Sequence, residues 1–342
     1  MCEDSDQPMT SRIKQKKARN IGVELLRGCS ILYIVGFWHM LDYTKAVPHY
    51  KNIVTYRLTW IVLGSFVFIA GYFCGRHFIK VKTRSTLSFY LRRFMRIYPL
   101  YILSLFTFTK FGLVGSDTSL KAALLVSAFL KPEPPTLWFI TMLAIFYMIA
   151  PLLVRVSRSL KVELLVLIYL VVSGLLLIYW HISHQLDVRI VTYFPAFWLG
   201  LLVAVRRIRL DTRKLFVLPA AALGIVTSFI TNSWNLEHNW LCATLMVTIV
   251  PFVLFSLSKN LTVRREWIHR SISAVAYASF CMYLFHRPIY RQLRLLYFPK
   301  SAAAQLIYLV AFCLPVIWLL SYGIQKIYDR ARERLSDMLS AG

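Results

Sequence analysis

Ten apolar segments, each close to the length needed to cross a lipid bilayer, follow one another along the 342-residue chain. A spanning helix needs about 20 apolar residues, because the hydrocarbon core is about 30 Å thick. The segments are 21–41, 55–75, 95–113, 136–154, 162–180, 189–205, 214–231, 239–257, 272–290 and 303–323. A hydrophobic content of 58% and a mean hydropathy of +0.59 favour one membrane domain over two soluble ones. The sequence therefore predicts an all-α, polytopic membrane helix bundle of about ten transmembrane helices, with a domain at 21–325 between tails at 1–20 and 326–342.

The charge of the chain is strongly positive, since 40 Lys and Arg stand against 15 Asp and Glu to give +25. The basic residues lie mostly in short loops between apolar segments, so we do not expect a nucleic-acid partner. With ten segments, 28 basic residues fall on the side of the termini, 11 on the other side, and Arg27 inside the first segment. Because positive loops remain in the cytoplasm, both tails are expected there, the first as a tail rather than a cleaved signal peptide. The expected location is the plasma (cytoplasmic or inner) membrane, as a multi-pass protein in contact with anionic membrane lipids.

The first apolar segment carries titratable side chains that a purely structural span would avoid. Glu24 and Arg27 lie near its start, whereas His39 and Asp42 lie at or just beyond its end. Charged groups inside a span are costly to bury and usually serve a site or a pathway. Arg27 and His39 are twelve residues apart, which is about 18 Å along a helix. Such a pair can hold the two ends of one long ligand.

Two further side chains are expected at the depth of His39. Trp138 begins the fourth apolar segment, and His286 lies near the end of the ninth. In the predicted orientation both face the outer side of the membrane. Side chains that can form hydrogen bonds, from three spans at one depth in the membrane, indicate a cavity that opens to the outer side.

Five stretches together resemble acyltransferase family 3, integral-membrane enzymes that O-acylate extracytoplasmic glycans and related acceptors. They are ELLRGCSILYIVGFWHM (24–40), GSFVFIAGYFCGR (64–76), FYLRRFMRIYPLY (89–101), LWFITMLAIFYMIAP (137–151) and AYASFCMYLFHRPIY (276–290). The first is similar to the family's Arg-containing first span that ends in His. The third carries the RxxR pair as Arg93 and Arg96, and the fifth is similar to the closing Tyr-Leu-x-His segment. No single stretch is specific, but their order and spacing together are.

The resemblance implies transfer of an acyl group, with acetyl as the first expectation, from cytoplasmic acyl-CoA to a hydroxyl of an extracytoplasmic or lipid-linked glycan. His39 is expected to act as the catalytic base or as an acyl carrier, because a neutral imidazole can accept a proton. Asp42, three residues on, is expected to hold the His39 tautomer. Residues expected to bind acetyl-CoA (acyl-CoA), the donor substrate, are Arg27, Arg92, Arg93 and Arg96. Residues expected on the acceptor side are Trp138, Tyr147, His286 and Arg287. No metal site is expected.

The chain departs from the family pattern in the first segment. The family usually places ten residues between the Arg and the His, which leaves them about 20° apart on a helix. Here eleven residues intervene, so a regular helix would separate Arg27 and His39 by about 120°. Either a π-bulge or local unwinding near Gly36 absorbs the extra residue, or Arg27 does not face the same channel as His39. The fourth stretch also lacks the glutamate that many glycan acetylases carry after the Trp, which leaves the acceptor open.

A transporter or flippase for a lipid-linked sugar or another amphiphile is the alternative function. Proton-coupled carriers keep carboxylates in the middle of spans. Here Glu24 and Asp42 lie near span ends and Glu163 opens the fifth segment. This distribution disfavours a proton-driven carrier but not passive flipping.

Overall fold

The computed structural model describes residues 20–80, 86–208, 222, 225, 226 and 239–341. Within these residues all regular structure is helical. The principal helices are α1 (Ile21–Tyr33), α2 (Ile53–Lys80), α3 (Thr86–Lys110), α4 (Ser116–Ala123), α5 (Trp138–Ser159), α6 (Val162–Ser183), α7 (Arg189–Val205), α8 (Trp240–Lys259), α9 (Glu266–Leu296), α10 (Ala302–Tyr308) and α11 (Leu314–Ala341). The predicted all-α bundle is therefore confirmed.

The predicted spans can be compared with these helices one by one. The seventh, 214–231, lies outside the described residues, and each of the other nine coincides with a helix. Among the described residues, six helical stretches are long and apolar enough to cross a membrane: Ile21–Tyr43, Ile53–Phe78, Trp138–Ser159, Val162–Ser183, Trp240–Lys259 and Ala302–Arg334. Helix α7 is apolar but shorter. The structure thus supports a multi-pass helical protein, while the total of ten spans stays a prediction.

The most extensive packing between described helices joins α2 to α7, where two glycines allow the backbones to meet. A Cβ atom built on Gly71 would overlap the carbonyl oxygen of Phe197, and one built on Gly200 would overlap that of Phe68. Small residues let helices approach closely where lipid provides no hydrophobic drive for association. Helix α6 shows the opposite environment, because only Leu165 and Ser173 of its residues are buried. It lies at the edge of the bundle, with its apolar side chains exposed.

This contrast predicts a stability difference between glycines. We expect Gly71→Ala and Gly200→Ala each to lower the free energy of unfolding by about 1–3 kcal/mol, because backbone atoms cannot move aside as side chains can. Gly174→Ala on α6 is the matched control, since nothing lies within 4 Å of a Cβ atom there. The midpoint of thermal unfolding in detergent, with size-exclusion chromatography as the readout of folded protein, measures the effect. Equal unfolding midpoints for all three variants would contradict the close α2–α7 packing.

The first span is not a regular helix over its whole length. Helix α1 begins after Asn20, whose side chain accepts a hydrogen bond from the Val23 amide at 3.1 Å. It continues as a π-helical turn over Ile34–Trp38, in which the His39 amide donates to the Ile34 carbonyl at 2.9 Å. The turn contains Gly36, against which Leu314 packs closely. A π turn accommodates one extra residue, so the first alternative raised by the eleven-residue spacing is confirmed.

Candidate active site

Helix α9 lies beside the first span and contacts its polar side chains in sequence order. The Ser273 hydroxyl donates to Glu24, and Arg27 Nη2 donates to Ser279 Oγ at 2.9 Å. Further along, His39 Nδ1 and His286 Nε2 are 2.8 Å apart. Ser279 and His286 are seven residues apart, so they share one face of α9 and lie about 10 Å apart along its axis. The π turn therefore directs Arg27 and His39 to the same face of one neighbouring helix.

The two histidines form a pair with unequal exposure. Their rings are nearly parallel, at 10°, with centroids 4.8 Å apart. His286 is fully buried, whereas His39 is partly exposed. His286 Nδ1 also lies 3.0 Å from the Met282 carbonyl oxygen and 2.9 Å from that of Tyr283. The inner imidazole is thus fixed by the helix that carries it, and the outer one remains accessible.

These contacts determine which nitrogens carry protons in the neutral pair. A carbonyl oxygen can only accept, so His286 Nδ1 must be the donor to Met282 and Tyr283. In a neutral imidazole the other nitrogen then accepts, so His286 Nε2 accepts a hydrogen bond from the His39 Nδ1–H group. His39 Nε2 is left with its lone pair. The arrangement supplies a proton acceptor on the accessible ring of the pair.

Asp42 does not hold His39, which corrects the prediction from their i,i+3 spacing. Its carboxylate accepts from the Tyr50 hydroxyl and lies 2.5 Å from Lys51 Nζ and 3.8 Å from Arg287 Nη2. The regular helix ends before Asp42, which lies in a separate 3-10 turn over Leu41–Tyr43. The same-face rule does not apply across such a break. Burial, reinforced by Asp42, raises the pKa of Tyr50, so its phenol remains a hydrogen-bond donor.

Three of the four predicted donor-binding arginines lie in the surroundings of Tyr147, and Arg93 is the one that packs on its ring. The guanidinium carbon of Arg93 lies 4.9 Å from the centre of the Tyr147 ring, and Arg27 and Arg96 are also charged neighbours of this tyrosine. We call Arg27, Arg93 and Arg96 the arginine cluster. Arg92 points elsewhere, with Nη2 3.2 Å from His77 Nε2. The RxxR spacing therefore brings Arg93 and Arg96 together but excludes the adjacent Arg92.

Tyr147 is placed differently from the sequence prediction, which grouped it with the acceptor-side residues. It is nine residues after Trp138 on α5, or about 13 Å along the helix, and this rise carries it to the arginine cluster. A predicted role in holding the acceptor fits this position poorly. Tyr147 provides the buried aromatic face on which Arg93 packs.

Trp138 belongs to a charged group that sequence reasoning missed. The Arg189 guanidinium carbon lies 3.9 Å from the centre of the Trp138 ring, Arg189 Nε lies 2.7 Å from Asp187 Oδ1, and Arg189 also pairs with Glu133. The next residue, Phe139, packs on Tyr283 with ring centroids 5.4 Å apart. Glu133 and Asp187 precede two apolar segments, where acidic residues are few. Acidic residues at these two positions were the sequence signal that an ion pair joins the two segments.

The comparisons with known proteins give one match, to a protein-family model. The family model described as an acyltransferase domain, that of acyltransferase family 3, matches residues 20–322. Neither the search of curated proteins nor that of solved structures finds a match. The matched range contains both histidines, the arginine cluster and all the helices that position them. The chain is therefore a multi-pass membrane protein that belongs to acyltransferase family 3.

Proposed function

We propose that this protein is an O-acyltransferase that moves an acyl group, first of all acetyl, from cytoplasmic acyl-CoA to a hydroxyl of an extracytoplasmic or lipid-linked glycan. The observation that carries the proposal is the histidine pair, in which His286 leaves His39 Nε2 free to accept a proton. The arginine cluster lies away from the histidine pair, at the level where Arg27 of α1 contacts Ser279 of α9. It suits a donor with several phosphate groups.

The chemistry begins when His39 Nε2 accepts the proton of the acceptor hydroxyl. The resulting oxygen nucleophile attacks the thioester carbonyl, forming a C–O bond and a tetrahedral oxyanion. Collapse of this intermediate breaks the C–S bond, and the CoA thiolate takes the proton back from His39. In a two-step route, His39 Nε2 attacks the thioester carbonyl, forming a C–N bond, and the C–S bond breaks to release the CoA thiolate. The acceptor hydroxyl then attacks the acyl-imidazole, forming the C–O bond and breaking the C–N bond, while its proton passes to the thiolate. Both routes require the same free nitrogen.

Donor binding is assigned to the arginine cluster. Phosphate groups of the nucleotide would pair with Arg93 and Arg96 at the membrane face predicted to be cytoplasmic, and Arg27 would meet the donor further inside. The acyl-bearing arm would then run along α9 from the level of Ser279 to that of His286. Support comes from the contacts of Arg27 and His39 with one face of α9.

Removal of one guanidinium should weaken donor binding selectively. We expect Arg93→Gln to raise the KM for acetyl-CoA by about tenfold or more, because a charge-assisted hydrogen bond contributes about 1.5–3 kcal/mol. The KM for the acceptor should change little. Arg155→Gln is the control, since Arg155 is an exposed arginine of α5 outside the cluster. An unchanged donor KM in a folded Arg93→Gln protein would contradict the assignment.

The proposed function is tested on purified protein in a non-ionic detergent with labelled acetyl-CoA. Transfer should release free thiol in proportion to acetylated product when glycan acceptors are added. Mass spectrometry of surface glycans from cells with and without the protein should show one species gaining a single acyl unit. A flippase would instead move its amphiphile without releasing thiol, so amphiphile movement with no thiol release would reject the enzyme assignment.

A further inference from the structure

A cavity of about 390 Å³ lies one helical turn beyond the histidine pair. Its walls are formed by Tyr43, Leu113, Arg291, Arg294 and Leu295. Tyr43 is four residues after His39, and Arg291 and Arg294 are five and eight residues after His286. The two segments that carry the histidines therefore also build the cavity. The Tyr43 ring packs on Tyr290 with centroids 5.1 Å apart, which joins its two sides.

The two cavity arginines are held in place by neighbours that do not neutralise their charge. The guanidinium carbon of Arg294 lies 5.0 Å from the Tyr43 ring centre and 4.6 Å from that of Phe298, and its Nε atom is buried without a hydrogen-bond partner. The Arg291 guanidinium lies near Gly112, two residues beyond the end of α3. In the described part of the chain, neither arginine has a carboxylate oxygen within 4.0 Å. Arg287, one turn earlier on α9, is paired with Asp42.

Two adjacent, partly buried cations without a counter-ion favour an anionic ligand, because pairing with an oxyanion offsets the cost of removing guanidinium groups from water. Guanidinium groups match the oxygens of phosphate in a fork geometry. Leu113 and Leu295 line the same cavity, so the ligand is expected to carry an apolar part beside its anionic group. A phosphate attached to a lipid chain combines both properties.

We propose that this cavity binds the phosphate group of an amphiphile, with Arg291 and Arg294 as its ligands. The phosphate can belong to a lipid-linked acceptor or to a membrane phospholipid, since both present the same chemistry. For an acceptor, this position would place the phosphate about 5–10 Å along the helices from His39, with the sugar next to the base. This part of the inference rests on the proposed function, whereas the phosphate site itself does not.

The binding test uses the full chain in dodecyl maltoside, which contains no phosphate, with dodecyl phosphate as the probe. Wild-type protein should bind dodecyl phosphate, and Arg291→Gln and Arg294→Gln should each raise its Kd by about tenfold. Arg270→Gln is the matched control, because Arg270 lies on the same helix, exposed and paired with Glu266. Thermal unfolding confirms that each variant is folded. Absence of binding to wild type, or equal Kd values in wild type and in a folded variant that combines Arg291→Gln with Arg294→Gln, would overturn the proposal.

A second arm identifies the source of the phosphate. Acetyl transfer to a glucose joined to dodecanol through a phosphodiester is compared with transfer to dodecyl glucoside. A higher kcat/KM for the phosphodiester, abolished in Arg294→Gln, assigns the cavity to the acceptor. Equal kcat/KM values with retained dodecyl phosphate binding assign it to a membrane phospholipid. If neither sugar is acetylated but dodecyl phosphate binds through both arginines, the phosphate site stands and the proposed function loses support.

Discussion

His39→Ala should lose acyl transfer by about 10²–10⁴-fold, because a positioned general base contributes about that factor to the rate. His39 Nε2 is the only free imidazole nitrogen of the histidine pair in its neutral state, and no other nitrogen of the pair can replace it. If the reaction passes through an acyl-histidine, the loss should exceed this range. The rate of acetyl transfer from labelled acetyl-CoA, at saturating donor and acceptor, measures the effect.

The matched control for this variant is His181→Ala. His181 lies in the last turn of α6 and is exposed, with no contact to the histidine pair. It should retain wild-type activity, which separates loss of one imidazole in general from loss of this one. Binding of acetyl-CoA by folded His39→Ala should persist, since the arginine cluster is intact. Full transfer activity in folded His39→Ala protein would remove His39 from both routes of the mechanism.

His286→Ala is expected to lower kcat by about 10–100-fold, the size of the loss seen when the partner that orients a metal-bound imidazole is removed. His286 is a positioning residue, because it acts through His39 Nδ1. Without it, His39 can rotate or adopt the other tautomer, with the proton on Nε2. Such a ring would no longer accept the acceptor's proton. The KM for acetyl-CoA should stay near wild type.

A conservative variant distinguishes this role from a packing role. His286→Gln offers an amide oxygen that can accept from His39 Nδ1 and an NH2 group that can donate to the backbone carbonyls. It should recover much of the kcat lost in His286→Ala. His286→Leu fills space but cannot accept the proton, and it should remain as slow as His286→Ala. Equal kcat values for the Gln and Leu variants, both folded, would reduce His286 to a buried packing residue.

Features that depend only on the spacing of residues within one helix could be predicted from the sequence. The RxxR spacing places Arg93 and Arg96 one turn apart on α3, because residues three apart share a helical face. The extra residue between Arg27 and His39 left a helix irregularity near Gly36 as one of two alternatives, and the π turn lies there. Both arguments need only the geometry of one helix.

The prediction that assumed an unbroken helix failed, and grouping residues by depth did not give their contacts. Asp42 should have shared a face with His39, but the π turn and the following 3-10 turn direct it to Tyr50 and Lys51 instead. Tyr147 was grouped with the outer aromatic residues, yet it lies against Arg93. The sequence placed His286 at the depth of His39 but did not predict the hydrogen bond between them.

Sequence alone determined the helical membrane architecture and family of this protein, because hydrophobic length and local motif spacing are properties of contiguous residues. Only the tertiary structure decided that His286, 247 residues away, holds the catalytic candidate, and that Arg291 and Arg294 share a cavity with Tyr43. These contacts depend on which helices become neighbours and at what rotation. That choice is made by side-chain packing across the whole bundle, and no local pattern encodes it.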